Sequence, residues 1–139
     1  MKPQKLVDLI GNTPLVISQN LVQNPNVKLL LKLEGNNPGG SVKDRAAYNM
    51  IKSAIERGDI KKGDKLIEAT SGNTGISFSA IGRALGHDVK IIMPDWMSKE
   101  RIEIIKSLGA EVILVSKEAG GFLGSIALSE KMSRENKHV

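Results

Sequence analysis

The chain has 139 residues, 40% of them hydrophobic and 25% charged: the length of one domain and the composition of an ordinary folded protein. It has no cysteine, which excludes a disulfide framework, a thiolate metal site and a cysteine nucleophile, and no apolar run of about 18 residues that would span a membrane. The net charge of +5 is spread over lysines that mostly sit beside acids, with no basic block and no interleaved aromatics, so it reads as a solvated surface and not as a nucleic-acid footprint.

The opening "MKPQKLVDLIG" lacks the long apolar stretch of a signal peptide, which suits a cytoplasmic protein. "NTPLVI" follows, and then "VKLLLKLE" (Val27–Glu34), a short apolar run bounded by "NPN" and "GNNPGG" that predicts a strand. From Ser41 the pattern turns helical, with Ala46, Met50, Ala54 and Ile55 at three- and four-residue steps. Ser41 and Asp44 have the spacing of a capping box, and Gly58 is a natural C-cap.

The alternation then repeats. "KLIEA" predicts a strand and "NTGISFSAIGRAL" a helix closed by Gly86. "VKIIM" predicts a strand stopped by Pro94, and "KERIEIIKSL" a helix between Ser98 as N-cap and Gly109 as C-cap. "EVILV" predicts a strand, and "FLGSIALSEKMSREN" a helix, with the internal Gly124 speaking against it. His87 and His138 read as surface residues, and neither belongs to a cluster with metal-ligand spacing, so no metal site is expected.

Strands alternating with helices predict an α/β fold, a parallel sheet with helices on both faces, whose ligands bind where the carboxyl ends of strands run into helix N-termini. The last helix has no strand after it, and the two early segments precede the repeating pattern. Together they predict a sheet whose remainder lies outside this chain.

Two loops carry candidate chemistry. In "NNPGGSVKDRAA" (Asn36–Ala47), Gly35 to Gly40 has the first half of a phosphate-loop pattern, but the lysine comes three positions too late for a nucleotide-phosphate site. Lys43 falls instead near the second position of a helix, where the exposed N–H groups and the helix dipole disfavour a cation. Two readings stand: a solvated lysine beside Asp44, or an amine whose pKa is lowered so that it can form a Schiff base. In "EATSGNTGIS" (Glu68–Ser77), Thr70, Ser71, Asn73 and Thr74 bring hydroxyls and an amide to a helix start, while Gly72 and Gly75 would let a ligand approach the backbone. That is a cradle for a carboxylate or phosphate, or else an ordinary turn between strand and helix.

"LEGNNPGGSVKDRAA", "IEATSGNTGIS" and "LIGNTPLV" resemble the pyridoxal-phosphate-dependent cysteine synthases (O-acetylserine sulfhydrylases) of the fold-type II, tryptophan-synthase-β-like group, and "IIMPDWMSKERIEIIKSLGAEVILV" resembles their B isozyme type. The resemblance runs over nearly the whole chain. It implies that Lys43 carries pyridoxal 5′-phosphate (PLP) as a Schiff base and later removes the substrate's α-proton. It implies that Asn73 hydrogen-bonds the cofactor's 3′ oxygen and that Thr70, Ser71, Gly72, Asn73 and Thr74 hold the substrate α-carboxylate. The implied reaction is β-replacement of O-acetyl-L-serine with sulfide to give L-cysteine, with O-phosphoserine as acceptor and thiosulfate or a protein thiocarboxylate as donor left open.

The resemblance further implies a division in which residues 1–35 belong to a large domain and 36–139 form a small mobile α/β domain. The rest of the large domain, with its glycine- and threonine-rich phosphate loop, would lie beyond Val139, so the chain is expected to be an N-terminal portion. A homodimer is implied for the full enzyme, as is a cleft that receives the C-terminal peptide of serine acetyltransferase. Cystathionine β-synthase, with similar loops, is the alternative enzyme. A fragment that binds peptide without catalysis is the alternative outside enzymology.

Overall fold

Short apolar strands and amphipathic helices place the core between three layers. The computed structural model describes residues 2–18 and 20–135. Strands β3 (Lys65–Ala69), β4 (Asp88–Pro94) and β5 (Glu111–Val115) form a parallel sheet in the order β3-β4-β5. The register pairs Leu66 with Val89 and Ile91 with Val112. Helices α2 (Asn73–Ala84) and α3 (Lys99–Ser107) make the two crossovers and pack against each other, with α1 (Lys43–Arg57) lying on α2. Helix α4 (Gly121–Glu135) runs through Gly124 and crosses all three strands.

The alternation of side chains along the central strand shows how the layers are divided. Val89, Ile91 and Met93 join Phe78 and Ile81 of α2 and Ile102 and Ile105 of α3 in one buried cluster. Ile92 is equally buried and, by the two-residue period of a strand, faces the other side, where α4 lies. The predicted α/β architecture with covered faces is therefore the one observed.

Ahead of it stands a separate two-stranded antiparallel sheet, β1 (Leu15–Ser18) with β2 (Leu29–Lys32), which pairs Leu15 with Lys32 and Ser18 with Leu29. Its apolar side chains stay exposed, among them Leu15 at 58% and Ile17 at 60%. The expected strand over 27–34 is thus shorter than its apolar run and pairs outside the main sheet.

Three local expectations need correction. Helix α1 starts at Lys43, which is its first residue and not its second, and its inward face is Asp44, Ala47 and Ile51. Ala46, Met50 and Ile55 are exposed, because the helix is rotated to bury Asp44. His87 is buried, with Nδ1 2.9 Å from the Asp64 carbonyl oxygen. His138 lies outside the described residues.

Candidate functional site

The first loop is held by its own backbone and by one carboxylate. The Gly40 N–H donates to the Asn37 carbonyl at 2.8 Å and closes the turn. Asp44, fully buried in the first turn of α1, accepts from the Gly39 N–H at 2.5 Å through Oδ2 and from the Ser77 hydroxyl at 2.5 Å through Oδ1. The expected capping box does not form: Asp44 reaches Gly39, and the Ser41 hydroxyl accepts from the Lys43 N–H at 3.2 Å. A carboxylate in the first turn complements the helix dipole. With Asp44 turned inward, Lys43 is left exposed and takes part in no ion pair among the described residues.

A second set of bonds fixes this loop from behind. Arg45 grips Glu34 with both Nε (2.8 Å) and Nη2 (2.9 Å), and the Thr13 hydroxyl donates to the same carboxylate at 2.6 Å. Asn37 donates to the Glu34 carbonyl and carboxylate and accepts from the Gly11 N–H at 2.8 Å. The guanidinium of Arg45, with the Thr13 hydroxyl second, lowers the Glu34 carboxyl to about 2. The "GNTP" segment is thereby tied to the stretch that leads into Lys43.

The second loop leaves β3 at Thr70, whose N–H still pairs with the Ile92 carbonyl at 3.0 Å. Thr70 is buried and its Oγ1 accepts from the Gly72 N–H at 3.3 Å, so this hydroxyl braces the turn. Gly72 is the N-cap of α2, and no side chain caps that helix. The first-turn N–H groups of Asn73 and Thr74 therefore face an uncapped helix start, a ready anion-binding position. Asn73 is exposed, while Ser71, Gly72 and Thr74 are half-buried. From α3, Arg101 Nη1 donates to the Ser71 carbonyl at 3.0 Å.

The two glycines of this loop differ in their reason. A Cβ at Gly75 would stand 2.9 Å from Thr70 Cγ2 and 3.2 Å from Ile91 Cγ2, so this glycine serves the packing of α2 on β4, where the sequence had led us to expect room for a ligand. Gly72 has ordinary extended angles (φ −137°, ψ −154°) and open space where a Cβ would be. The fold itself does not require a glycine there.

The loops meet through their helices. Lys43 heads α1 and Asn73 heads α2; the residue after Lys43 is bonded to Ser77, one turn beyond Asn73. An amine and an amide-and-hydroxyl loop thus stand at adjacent helix N-termini, with no hydrogen bond joining Lys43 to Asn73 among the described residues. The sequence did not point to Arg101, Glu34 or Arg45. A cation in the first turn of α3, against the helix dipole, was the one signal available for Arg101. The described residues contain no metal-binding group of His, Asp and Glu, and no helix long and apolar enough to cross a membrane.

Comparison with known proteins gives this arrangement a context. Cysteine synthase B of Escherichia coli (strain K12) is 56% identical over 115 residues, which cover 83% of this chain and 38% of that protein. Cysteine synthase B of Pseudomonas aeruginosa is 51% identical over 132 residues, 95% of this chain and 44% of that protein. The crystal structure of cysteine synthase from Entamoeba histolytica superposes with a TM-score of 0.88 at 41% identity, covering 98% of this chain and 41% of that one. The chain spans about two-fifths of the length of these relatives. Residues 6–139 match the family described as pyridoxal-phosphate dependent enzyme, and the chain belongs to that family.

Proposed function

We propose that this chain is the lysine-bearing portion of a cysteine synthase, which replaces the acetate of O-acetyl-L-serine with sulfide to give L-cysteine. The observation that carries the proposal is the pairing of α1 and α2 through Asp44 and Ser77, which sets Lys43 and the Asn73 loop at neighbouring helix starts. The residues fit the family's cofactor. Lys43 offers an exposed amine that takes part in no ion pair among the described residues, and Asn73 offers an exposed amide. PLP, when bound, supplies the electron sink that makes a substrate's α-proton removable.

Each residue then has a task. Lys43 Nζ would hold the cofactor, and its free amine would take the proton from the substrate α-carbon. The N–H groups of Asn73 and Thr74, with the hydroxyls of Ser71 and Thr74, receive the α-carboxylate and fix the α-carbon before the amine. Gly72 leaves room for that carboxylate. Thr70 contributes by bracing the turn. Acetate leaves the β-carbon and sulfide bonds in its place.

In this reading residues 1–35 belong to a large domain and 36–139 to a small one, a division supported by the separate β1–β2 sheet with its exposed Leu15, Ile17 and Leu30. The reading also carries a homodimeric, cytoplasmic enzyme whose cleft takes the C-terminal peptide of serine acetyltransferase. The test is chemical. Incubation with PLP followed by borohydride should attach a pyridoxyl group at Lys43, located by peptide mass spectrometry, and Lys43→Ala should abolish it. Labelling spread over other lysines with Lys43 unmodified would overturn the assignment.

A further inference from the structure

Arg101 is the third residue of α3, in the first turn, where the positive end of the helix opposes a cation. It is half-buried and takes part in none of the ion pairs among the described residues. Its hydrogen bond goes to a backbone oxygen, the Ser71 carbonyl, thirty residues away in sequence. A half-buried guanidinium held without a carboxylate is an unusual way to staple a loop, since an arginine's planar fork is best matched by an acid.

The place of that bond explains it. In a trans peptide the C=O and the following N–H point in opposite directions, so drawing the Ser71 carbonyl toward α3 fixes the plane of the Ser71–Gly72 peptide. That plane leads into Gly72, the N-cap of α2, and so sets the direction from which the next plane, Gly72–Asn73, enters the helix and presents the first N–H groups. The Thr70 Oγ1 bond to the Gly72 N–H, at 3.3 Å, braces the same plane from its other side. The guanidinium's charge remains unneutralised beside an anion-binding helix start, to which it adds.

We infer that Arg101 is the positioning residue of the carboxylate loop: it locks the Ser71–Gly72 peptide and, with its charge, tunes the loop's affinity for a substrate α-carboxylate. This inference rests on the carboxylate-binding role proposed above for residues 70–74, and is independent of Lys43 and PLP.

The experiment titrates the isotope-labelled full chain with acetate as the probe and follows the amide signals of Gly72, Asn73 and Thr74 by NMR. Arg101→Gln and Arg101→Lys are measured beside it, with amide hydrogen exchange along α2 for all three. Wild type should show saturable shifts at these amides. Arg101→Gln should bind acetate about tenfold more weakly, the loss of one charge-assisted bond's worth of preorganisation, with faster exchange confined to residues 71–74. Arg101→Lys keeps the charge without the fork and should fall between them. Wild-type affinity and exchange in Arg101→Gln would overturn the inference, as would a loss of protection spread evenly over the fold. Absence of acetate-dependent shifts in wild type would overturn it together with the carboxylate loop. Failure of PLP to label Lys43, read on the same wild-type sample, would count against the cysteine synthase proposal alone.

Discussion

The Ser77 hydroxyl donates a 2.5 Å hydrogen bond to Oδ1 of Asp44, a residue 33 positions earlier, and both side chains are fully buried. The other carboxylate oxygen holds the Gly39 N–H, so a single side chain joins the first loop, α1 and α2. A buried carboxylate is tolerated only while its lone pairs are filled. Ser77→Ala should therefore lower unfolding free energy by about 1–3 kcal/mol, measured by urea denaturation. In an Asp44→Ala background the same serine change should cost much less, because its partner is gone. Additive losses across that double-mutant cycle would show that the bond does not couple the helices.

Gly39 owes its identity to the same carboxylate. A Cβ there would collide with Asp44 Oδ1 and lie 3.1 Å from its Cγ. Gly39→Ala should push Asp44 out of its bonds and cost about 1–3 kcal/mol, as overpacking of a buried site does. Gly72→Ala is the matched control. With open space and ordinary backbone angles, it should change stability by about 0.5 kcal/mol or less while weakening acetate binding at the loop. Equal destabilisation by the two changes would contradict this division of roles.

The N-terminal tie has a pH signature. The Glu34 carboxyl is held at about 2 by Arg45 and Thr13, against an ordinary value of 4.5. A carboxyl depressed in the folded state adds stability that is complete above the unfolded value and is lost as pH falls through the folded one. The melting temperature of wild type should exceed that of Glu34→Gln from neutral pH down to about 5, and the gap should close between about 4.5 and 2. A gap of the same size at pH 3 and pH 7 would mean that the charge of Glu34 is not its source.

The main sheet and its helices were legible because each strand is a short apolar run between turn residues and each helix repeats at its own period. Pattern reading assumes that charged residues face water, and α1 breaks that assumption. Asp44 turns inward because Gly39 and Ser77 supply its donors, and this rotation carries Ala46 and Met50 to the surface. His87 misled in the same way, its polarity being matched internally by the Asp64 carbonyl. The candidate loops were readable because Lys43 and residues 70–74 form compact local motifs. Arg101 was not, since its partner lies thirty residues away and only the packing of α3 against α2 brings them together. The β1–β2 pairing was hidden for a related reason, because antiparallel partners separated by an irregular connection leave no local period.

Glu68 offers the opposite titration to Glu34. It sits in β3 just before the candidate carboxylate loop, half-buried, and desolvation raises its carboxyl above 4.5. A carboxyl raised in the folded state favours the protonated form there. Folding loses stability as pH climbs from the unfolded value through the folded one, and the penalty is complete above it. Glu68→Gln keeps the shape and removes the charge. Its melting temperature should match that of wild type near pH 4 and exceed it at pH 7 and above. Removing a negative charge from the strand that leads into the loop should also strengthen acetate binding at neutral pH, because the Coulomb repulsion between the two anions is lost. A Glu68→Gln protein less stable than wild type at pH 7 would show that the carboxylate is stabilised by its surroundings, and the raised titration would then have the wrong sign.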